Sequence, residues 1–192
     1  FVRADARDLD EAGVVEAIGA APFDVVVSAH DSLNHILDPD DLAGVFRGIH
    51  ARLRPGGALL FDLNTPRGFR ARFRGAFDLD DGALACRVEA SYDAPTGIGR
   101  YAVTLRGGAP GPSAPRAGAA GTTPDAAATA AGSAPELPSE PIVLAQRCHA
   151  PRDVEALLAA AGFVAIAQHD AERALGMAGH VGRVVFTAWC AA

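Results

Sequence analysis

The segment Phe23–Leu63 constrains this chain more than any other part of it. Phe23–Ser28 (FDVVVS) is a short, Val-rich apolar run with the length of a buried parallel strand. Asp38 and Pro39 then supply an N-cap and a first helical residue, and Asp40 and Asp41 complement the positive helix end. Leu42, Val45, Phe46, Ile49 and Leu53 follow at helical spacing and make one apolar face. Pro55-Gly56-Gly57 stops the helix, and Ala58–Leu63 (ALLFDL) is a second buried strand. Strand, helix and strand of these lengths make a βαβ unit with a right-handed crossover, which places the chain in the α/β class.

The flanking segments extend this frame. Phe1–Ala4 reads as a further strand. From Phe73 the periodicity changes: Ala83–Asp93 and Ile98–Leu105 alternate in period two around Pro95-Thr96-Gly97, the pattern of an antiparallel hairpin with one solvated face. Ile142–His149 is a third such strand. Pro151 opens a helix with Val154, Leu157, Leu158 and Ala161 on one face, and Gly162 ends it. Phe163–Gln168 and Val181–Trp189 read as the last strands; Asp170–His180 between them is too short and too weakly helical for a crossover, so they are expected to be antiparallel neighbours. Four regions result: a partial Rossmann-like core over 1–72, an antiparallel β insertion over 73–106, an Ala/Gly/Pro-rich segment over 107–139, and over 140–192 the last strand of the insertion with the helix and two strands that complete the core. The third region has too little apolar surface to order itself and is expected to be disordered. Replacing it with a short turn should leave the melting temperature nearly unchanged, because loop closure entropy grows slowly with length.

Composition excludes some partners. A chain of 192 residues with net charge -6 does not present the basic face that nucleic acid requires. All 17 basic residues are Arg. The three cysteines, Cys86, Cys148 and Cys190, are widely spaced and suggest neither a disulfide framework nor zinc, which fits three buried thiols in a reducing cytoplasm. No apolar run reaches the roughly 18 residues that span a bilayer, and no leader opens the chain. The first residue is Phe1 and the one methionine is Met177, so an upstream part is expected to be lacking.

In open α/β sheets ligands bind outside the carboxyl ends of the strands. That rule selects Asp5-Ala6-Arg7, the turn Ser28–His35, Asn64-Thr65 and the polar edge at His149. Each has a plainer alternative: Asp5 as a turn cap, His30 and His35 as loop-edge histidines, Asn34 as a turn residue, Asn64 and Thr65 as a turn before Pro66, His149 as a strand-end surface residue. Ser28, His30, Asp31 and Ser32 have the residue types of a hydrolytic triad, but sequence neighbours rarely meet as one and no G-x-S-x-G is present. His30-Asp31 lacks the further ligands a metal site would need, and no metal is expected.

The string FDVVVSAHDSLNHILDPDDLAGVFRGIHARLRPGGALLFDLNTP resembles the middle of class I S-adenosylmethionine-dependent methyltransferases of the small-molecule type. That family carries Asp-x-Arg after the third strand, Ser-Leu-Asn after the fourth, L-x-P-G-G before the fifth and Asp-x-Asn at its end; all four occur here in order. The stretches His149–Phe163 and Gly182–Phe186 are similar as well. The resemblance implies a Rossmann-like methyltransferase sheet, truncated at its N-terminus, with an added antiparallel β subdomain. It implies S-adenosylmethionine as cofactor, a small-molecule acceptor methylated on nitrogen or oxygen, and no membrane partner. Asp5, Ala6 and Arg7 would lie by the adenine and Ser28, Ala29 and His30 near the adenine and the methionine portion. Asp31, Ser32, Asn34, Asn64, Thr65 and His149 would line the acceptor pocket, with His30, His35 or His149 as a base where one is needed. The sequence departs from the family in having no G-x-G-x-x-G loop and no acidic ribose ligand. Weak cofactor binding by the isolated chain and an exposed sheet edge at residues 23–28 are the expected consequences. An inactive accessory domain that binds a partner through that edge is the competing expectation.

Overall fold

The structure is a computed structural model and describes residues 2–9, 11–19, 22–80, 84–107 and 140–192. Its elements are a 3₁₀ turn Ala6–Asp8, α1 (Ala12–Ile18), β1 (Phe23–Ser28), a 3₁₀ turn Ser32–His35, α2 (Pro39–Arg52), β2 (Leu53–Asn64), α3 (Pro66–Arg72), β3 (Gly75–Asp80), β4 (Leu84–Asp93), β5 (Ile98–Gly107), β6 (Ile142–Arg147), α4 (Pro151–Ala160), β7 (Phe163–Asp170) and β8 (Arg183–Cys190). They form two four-stranded sheets, ordered β1-β2-β8-β7 and β3-β4-β5-β6.

The first sheet is built on the predicted βαβ unit. β1 and β2 are parallel, β2 and β8 antiparallel, β8 and β7 antiparallel. The Asp38 carboxylate accepts the Asp40 amide at 2.8 Å and caps α2. The helix presses Leu42, Val45, Phe46 and Ile49 onto Leu59, Phe61 and Leu63 of β2 and Phe186 and Ala188 of β8, and α4 adds Val154 and Leu158 to the same layer. Phe46, Phe61 and Phe186 pack in series with centroids 5.4 and 4.9 Å apart, the first pair tilted and the second stacked. Each such side chain contributes about 1.5–3 kcal/mol by leaving water, so this layer is the source of the fold's stability.

The opposite face of this sheet carries Val25, Val27, Val164 and Trp189, all exposed. Among the described residues no strand pairs with the outer edge of β1, as expected for residues 23–28.

The second sheet is antiparallel throughout. Arg87, Glu89 and Arg100 occupy one face with Asp78; Val88, Ala90, Tyr92 and Tyr101 occupy the other. Phe69 and Phe73 of the α3 segment pack under that second face, against Tyr92 and Tyr101. Gly99 admits them, since a Cβ there would meet the Phe73 ring at 2.5 Å.

Several expectations are corrected. Val2–Ala4 is not a strand, because no described strand offers it a partner. β2 starts at Leu53, which pairs with Phe23, and residues 54–57 loop out before Ala58 pairs with Val25. α3 and β3 were not anticipated; every residue of β3 is exposed, so it carries no strong burial pattern. The strand expected over 142–149 ends at Arg147, where the Cys148 amide turns to Gly97 O at 2.8 Å. Of the three thiols only Cys190 is buried. The disorder expected over 107–139 falls, apart from Gly107 at the end of β5, outside the described residues. Among the described residues no helix is long and apolar enough to cross a membrane.

Candidate functional site

The site begins where β1 ends. After Ser28 the chain turns through His30 and Asp31, both left-handed (φ 59° and 49°), and runs into the 3₁₀ turn Ser32–His35. β2 ends beside it at Asn64. Because β8 runs antiparallel to β2, its first residue, Arg183, pairs with Asn64. One rim therefore collects the carboxyl ends of β1 and β2 and the amino end of β8.

Arg183 is the hub of that rim. Its guanidinium donates to Asp62 Oδ2 and to Asp31 Oδ1, both at 2.5 Å. Asp31 also gives its amide to Asp62 Oδ2 at 3.0 Å. The three side chains are only 10–17% exposed, so the pairing operates with little screening. Gln146 of β6 donates through Nε2 to Asp31 Oδ2 at 2.7 Å and lies 3.0 Å from His35 Nε2. His35 Nδ1 lies 3.0 Å from Ala145 O. The carbonyl can only accept, so Nδ1 carries the proton and Nε2 accepts from Gln146. His35 thus joins the second sheet to the rim.

Asn34 makes a second joint. It is fully buried, its Oδ1 accepts the Asn64 amide at 2.9 Å, and its Nδ2 donates to Arg147 O at 2.7 Å. Arg72 donates to Asn64 Oδ1. Burial pushes the Arg72 guanidinium below its ordinary pKa, and the like charge of Arg183 adds to that. The Tyr101 phenol is pushed up by burial. Thr65 donates through both amide and hydroxyl to Gly182 O, each at 2.9 Å. Gly182 in turn lies so close to the backbone of Arg67 and Gly68 that neither Gly68 nor Gly182 has room for a Cβ. This contact sets where β8 starts, and so where Arg183 stands.

A cavity of about 230 Å³ opens on the rim, lined by Val27–His30, Leu60–Asp62, Arg183 and Val185, with Met177 and His180 from the β7–β8 turn. Ligand pockets commonly measure about 300–1,000 Å³, so this cavity falls below the usual range.

The sequence-selected residues divide accordingly. Ser28, Ala29 and His30 line the cavity. Asp31, Asn34, His35, Asn64 and Thr65 are brought together, but their polar groups are engaged in the bonds just described. The Ser32 hydroxyl donates to Ala29 O at 2.6 Å. His149 is 6% exposed, not a surface residue; its Nε2 lies 2.9 Å from Ile36 O, and burial pushes its pKa down. It lines a different hollow, with Pro39, Arg147 and Asp153. Asp5 does cap its turn: it accepts the Arg7 amide at 2.9 Å and the Arg7 guanidinium at 2.8 and 3.0 Å. Those bonds hold its carboxyl at about 2. Arg7 reaches Asp41 at 3.4 Å, so Ala6 and its neighbours lie by the start of α2, and Asp5 opens on a separate hollow with Arg3, Asp8 and Glu11.

The sequence alone does not single out Asp62, Arg183, Gln146, Arg72, Met177 or His180. Asp62 and Arg183 stood inside quoted motifs; nothing local marks the other four. Among the described residues no group of three or more His, Cys, Asp and Glu is placed to hold a metal ion.

No known family profile matches the chain, and no curated protein matches it. Solved structures do. A S-adenosylmethionine-dependent methyltransferase from Clostridium acetobutylicum superposes with a TM-score of 0.67 at 16% identity, covering 100% of this chain and 64% of that one. A sugar N-methyltransferase from Streptoalloteichus sp. gives 0.61 at 18% identity over 98% of this chain and 61% of that one. The CcbJ methyltransferase from Streptomyces caelestis gives 0.60 at 15% identity over 91% and 63%. The chain thus spans under two thirds of the length of the structures it matches, and the shared property is the fold.

Proposed function

We propose that this chain, which has the Rossmann-like fold of S-adenosylmethionine-dependent methyltransferases, carries the acceptor side of methyl transfer to the nitrogen or oxygen of a small molecule, as part of a longer enzyme. The observation that carries this is the cavity at the ends of β1 and β2, with the 28–35 turn locked to Asn64 beside it. Two left-handed residues, His30 and Asp31, hold the chain away from the sheet there, which leaves Ser28–His30 as an open wall.

The residues present fit one part of an S-adenosylmethionine site. Ser28, Ala29 and His30 would hold its methionine portion; the Asp5–Arg7 turn, expected beside the adenine, opens on a separate hollow, and no glycine loop is present for the remainder. When bound, the cofactor supplies an activated methyl group on a sulfonium. The chain's own task is positioning, the entropic term of catalysis. Arg183, Asp31, Asp62 and Gln146 fix the rim, and Asn34 ties it to the second sheet, which roofs the acceptor. Replacing Asn34 or His35 in the complete enzyme should lower turnover more than cofactor affinity; unchanged activity in both would remove them from the site.

Titration calorimetry with S-adenosylmethionine tests the proposal. A form extended upstream should bind, and this chain alone should bind weakly or not at all. A second reading, an inactive domain that takes a partner strand, is favoured by the open edge of β1 with Val25 and Val27 exposed (50% and 67%). Failure of the extended form to bind would favour it.

A further inference from the structure

We infer that the hollow between the end of β6 and the starts of α2 and α4 is a binding site for a small uncharged ligand with an N–H beside a carbonyl, the chemistry of a primary carboxamide or a urea. His149 takes the N–H and Arg147 the carbonyl. The inference is independent of the methyl-transfer reading, since this hollow and the cavity at the ends of β1 and β2 share no lining residue.

Backbone contacts fix His149 from both sides. Before it, the Cys148 amide donates to Gly97 O at 2.8 Å; after it, Ala150 O accepts the Asp153 and Val154 amides at 2.9 and 3.1 Å as α4 begins. The residue is 6% exposed, and its Nε2 lies 2.9 Å from Ile36 O. A carbonyl can only accept, so Nε2 carries the proton and Nδ1 presents a lone pair. Burial, and after it the charge of Arg147, push the ring's pKa down, which keeps Nδ1 an acceptor.

Nδ1 has no partner among the described residues. The unpartnered side-chain atoms sealed from solvent among those residues are Gln146 Oε1, Arg183 Nε and Thr187 Oγ1, and Nδ1 is not one of them. On a residue so buried, that opening is the hollow His149 lines. A buried acceptor without a donor is costly, so a ligand that donates to it gains affinity.

The rest of the lining sets the ligand's charge and size. Of the several N–H donors of the Arg147 guanidinium, one is engaged, by Leu37 O at 3.2 Å. The Asp153 carboxylate, 65% exposed and 3.3 Å from Arg152 Nε, stands at the mouth. A carboxylate ligand would set its oxygens against the Nδ1 lone pair and against Asp153. An ammonium would meet Arg147, and either ion would have to give up its hydration. A carboxamide meets neither objection: its N–H reaches Nδ1 and its carbonyl accepts from Arg147. Pro39, Val154 and Leu157 give an apolar wall for a short hydrocarbon. The hollow measures about 170 Å³, room for about five or six groups the size of a water molecule.

The test is a nuclear magnetic resonance titration of the full chain at about pH 7 with four probes of matched size: propionamide, butanone, propionate and butylammonium. Propionamide should shift the His149 ring nitrogens and the Val154 and Leu157 methyls saturably. Butanone, in which a methyl replaces the amide nitrogen, and both charged probes should bind at least about ten-fold more weakly. His149→Phe should bring propionamide down to the level of butanone, read at the Val154 and Leu157 methyls. Arg147→Met should strengthen the butylammonium response. Backbone spectra check that both variants are folded; if either is not, the order of the four probes in the unaltered chain decides alone. Equal binding of propionamide and butanone, tighter binding of either ion, or no saturable response to propionamide would overturn the inference.

Discussion

Arg183→Met is the substitution on which the account of the rim can be tried most severely. Methionine keeps much of the side-chain volume and removes the charge. It leaves Asp31 and Asp62, 17% and 10% exposed at their side chains, facing each other with the Arg183 bonds of 2.5 Å gone. Removing one partner of a buried ion pair costs about 3–5 kcal/mol, and the remaining exposure argues for the lower figure, about 3 kcal/mol. In a chain of this length each kcal/mol moves the melting temperature by about 2–4 °C, so the expected fall is about 6–12 °C. Urea unfolding at pH 7 measures the free energy directly. Adding Asp31→Asn and Asp62→Asn to the same chain should recover at least half of the loss. A deficit under about 1 kcal/mol would refute the claim that Arg183 holds the rim together.

Three further outcomes are expected. Gly182→Ala adds a methyl to a left-handed residue (φ 68°) pressed against the Arg67–Gly68 backbone, and should cost about 2–4 kcal/mol in urea unfolding. Burial keeps the His149 ring neutral in the folded chain, so the unfolded chain binds the proton first; stability is then full above about pH 6.5 and falls below it by at most about 1.4 kcal/mol per pH unit, a slope that His149→Phe should flatten. Val27→Lys, on the open-edged strand β1, should change stability by less than about 0.5 kcal/mol and reduce self-association in light scattering.

The parts of the fold that could be read in advance are those where one local rule decides. α2 announces itself because Asp38 and Pro39 sit at its start and Leu42, Val45, Phe46 and Ile49 face one way; all four are buried. The antiparallel arrangement of β7 and β8 follows from a connection too short for a crossover. β3 could not be found so, because its pairing with β4 leaves every one of its residues exposed and no alternation has to appear. The end of β6 was misplaced for a related reason: what stops it is the carbonyl of Gly97, fifty residues upstream, which takes the Cys148 amide.

The site divides along the same line. The 28–35 turn and Asn64 were legible because a general rule points to the carboxyl ends of parallel strands. What those residues do there was not, because it depends on partners distant in sequence. Asp31 looks like a pocket residue until Arg183, 152 positions away, takes one carboxylate oxygen and Gln146, 115 positions away, takes the other. His35 looks like a candidate base until Ala145 O and Gln146 occupy both of its nitrogens. The β7–β8 turn looks like a plain connection until the antiparallel pairing of β8 with β2 carries its end to Asn64. A strand that enters the sheet against the direction of its neighbours brings its amino end to the rim where theirs end. That reversal gives the rim a cation to hold two acids and sets Met177 and His180 over the cavity, and neither could be had from a strand running the other way.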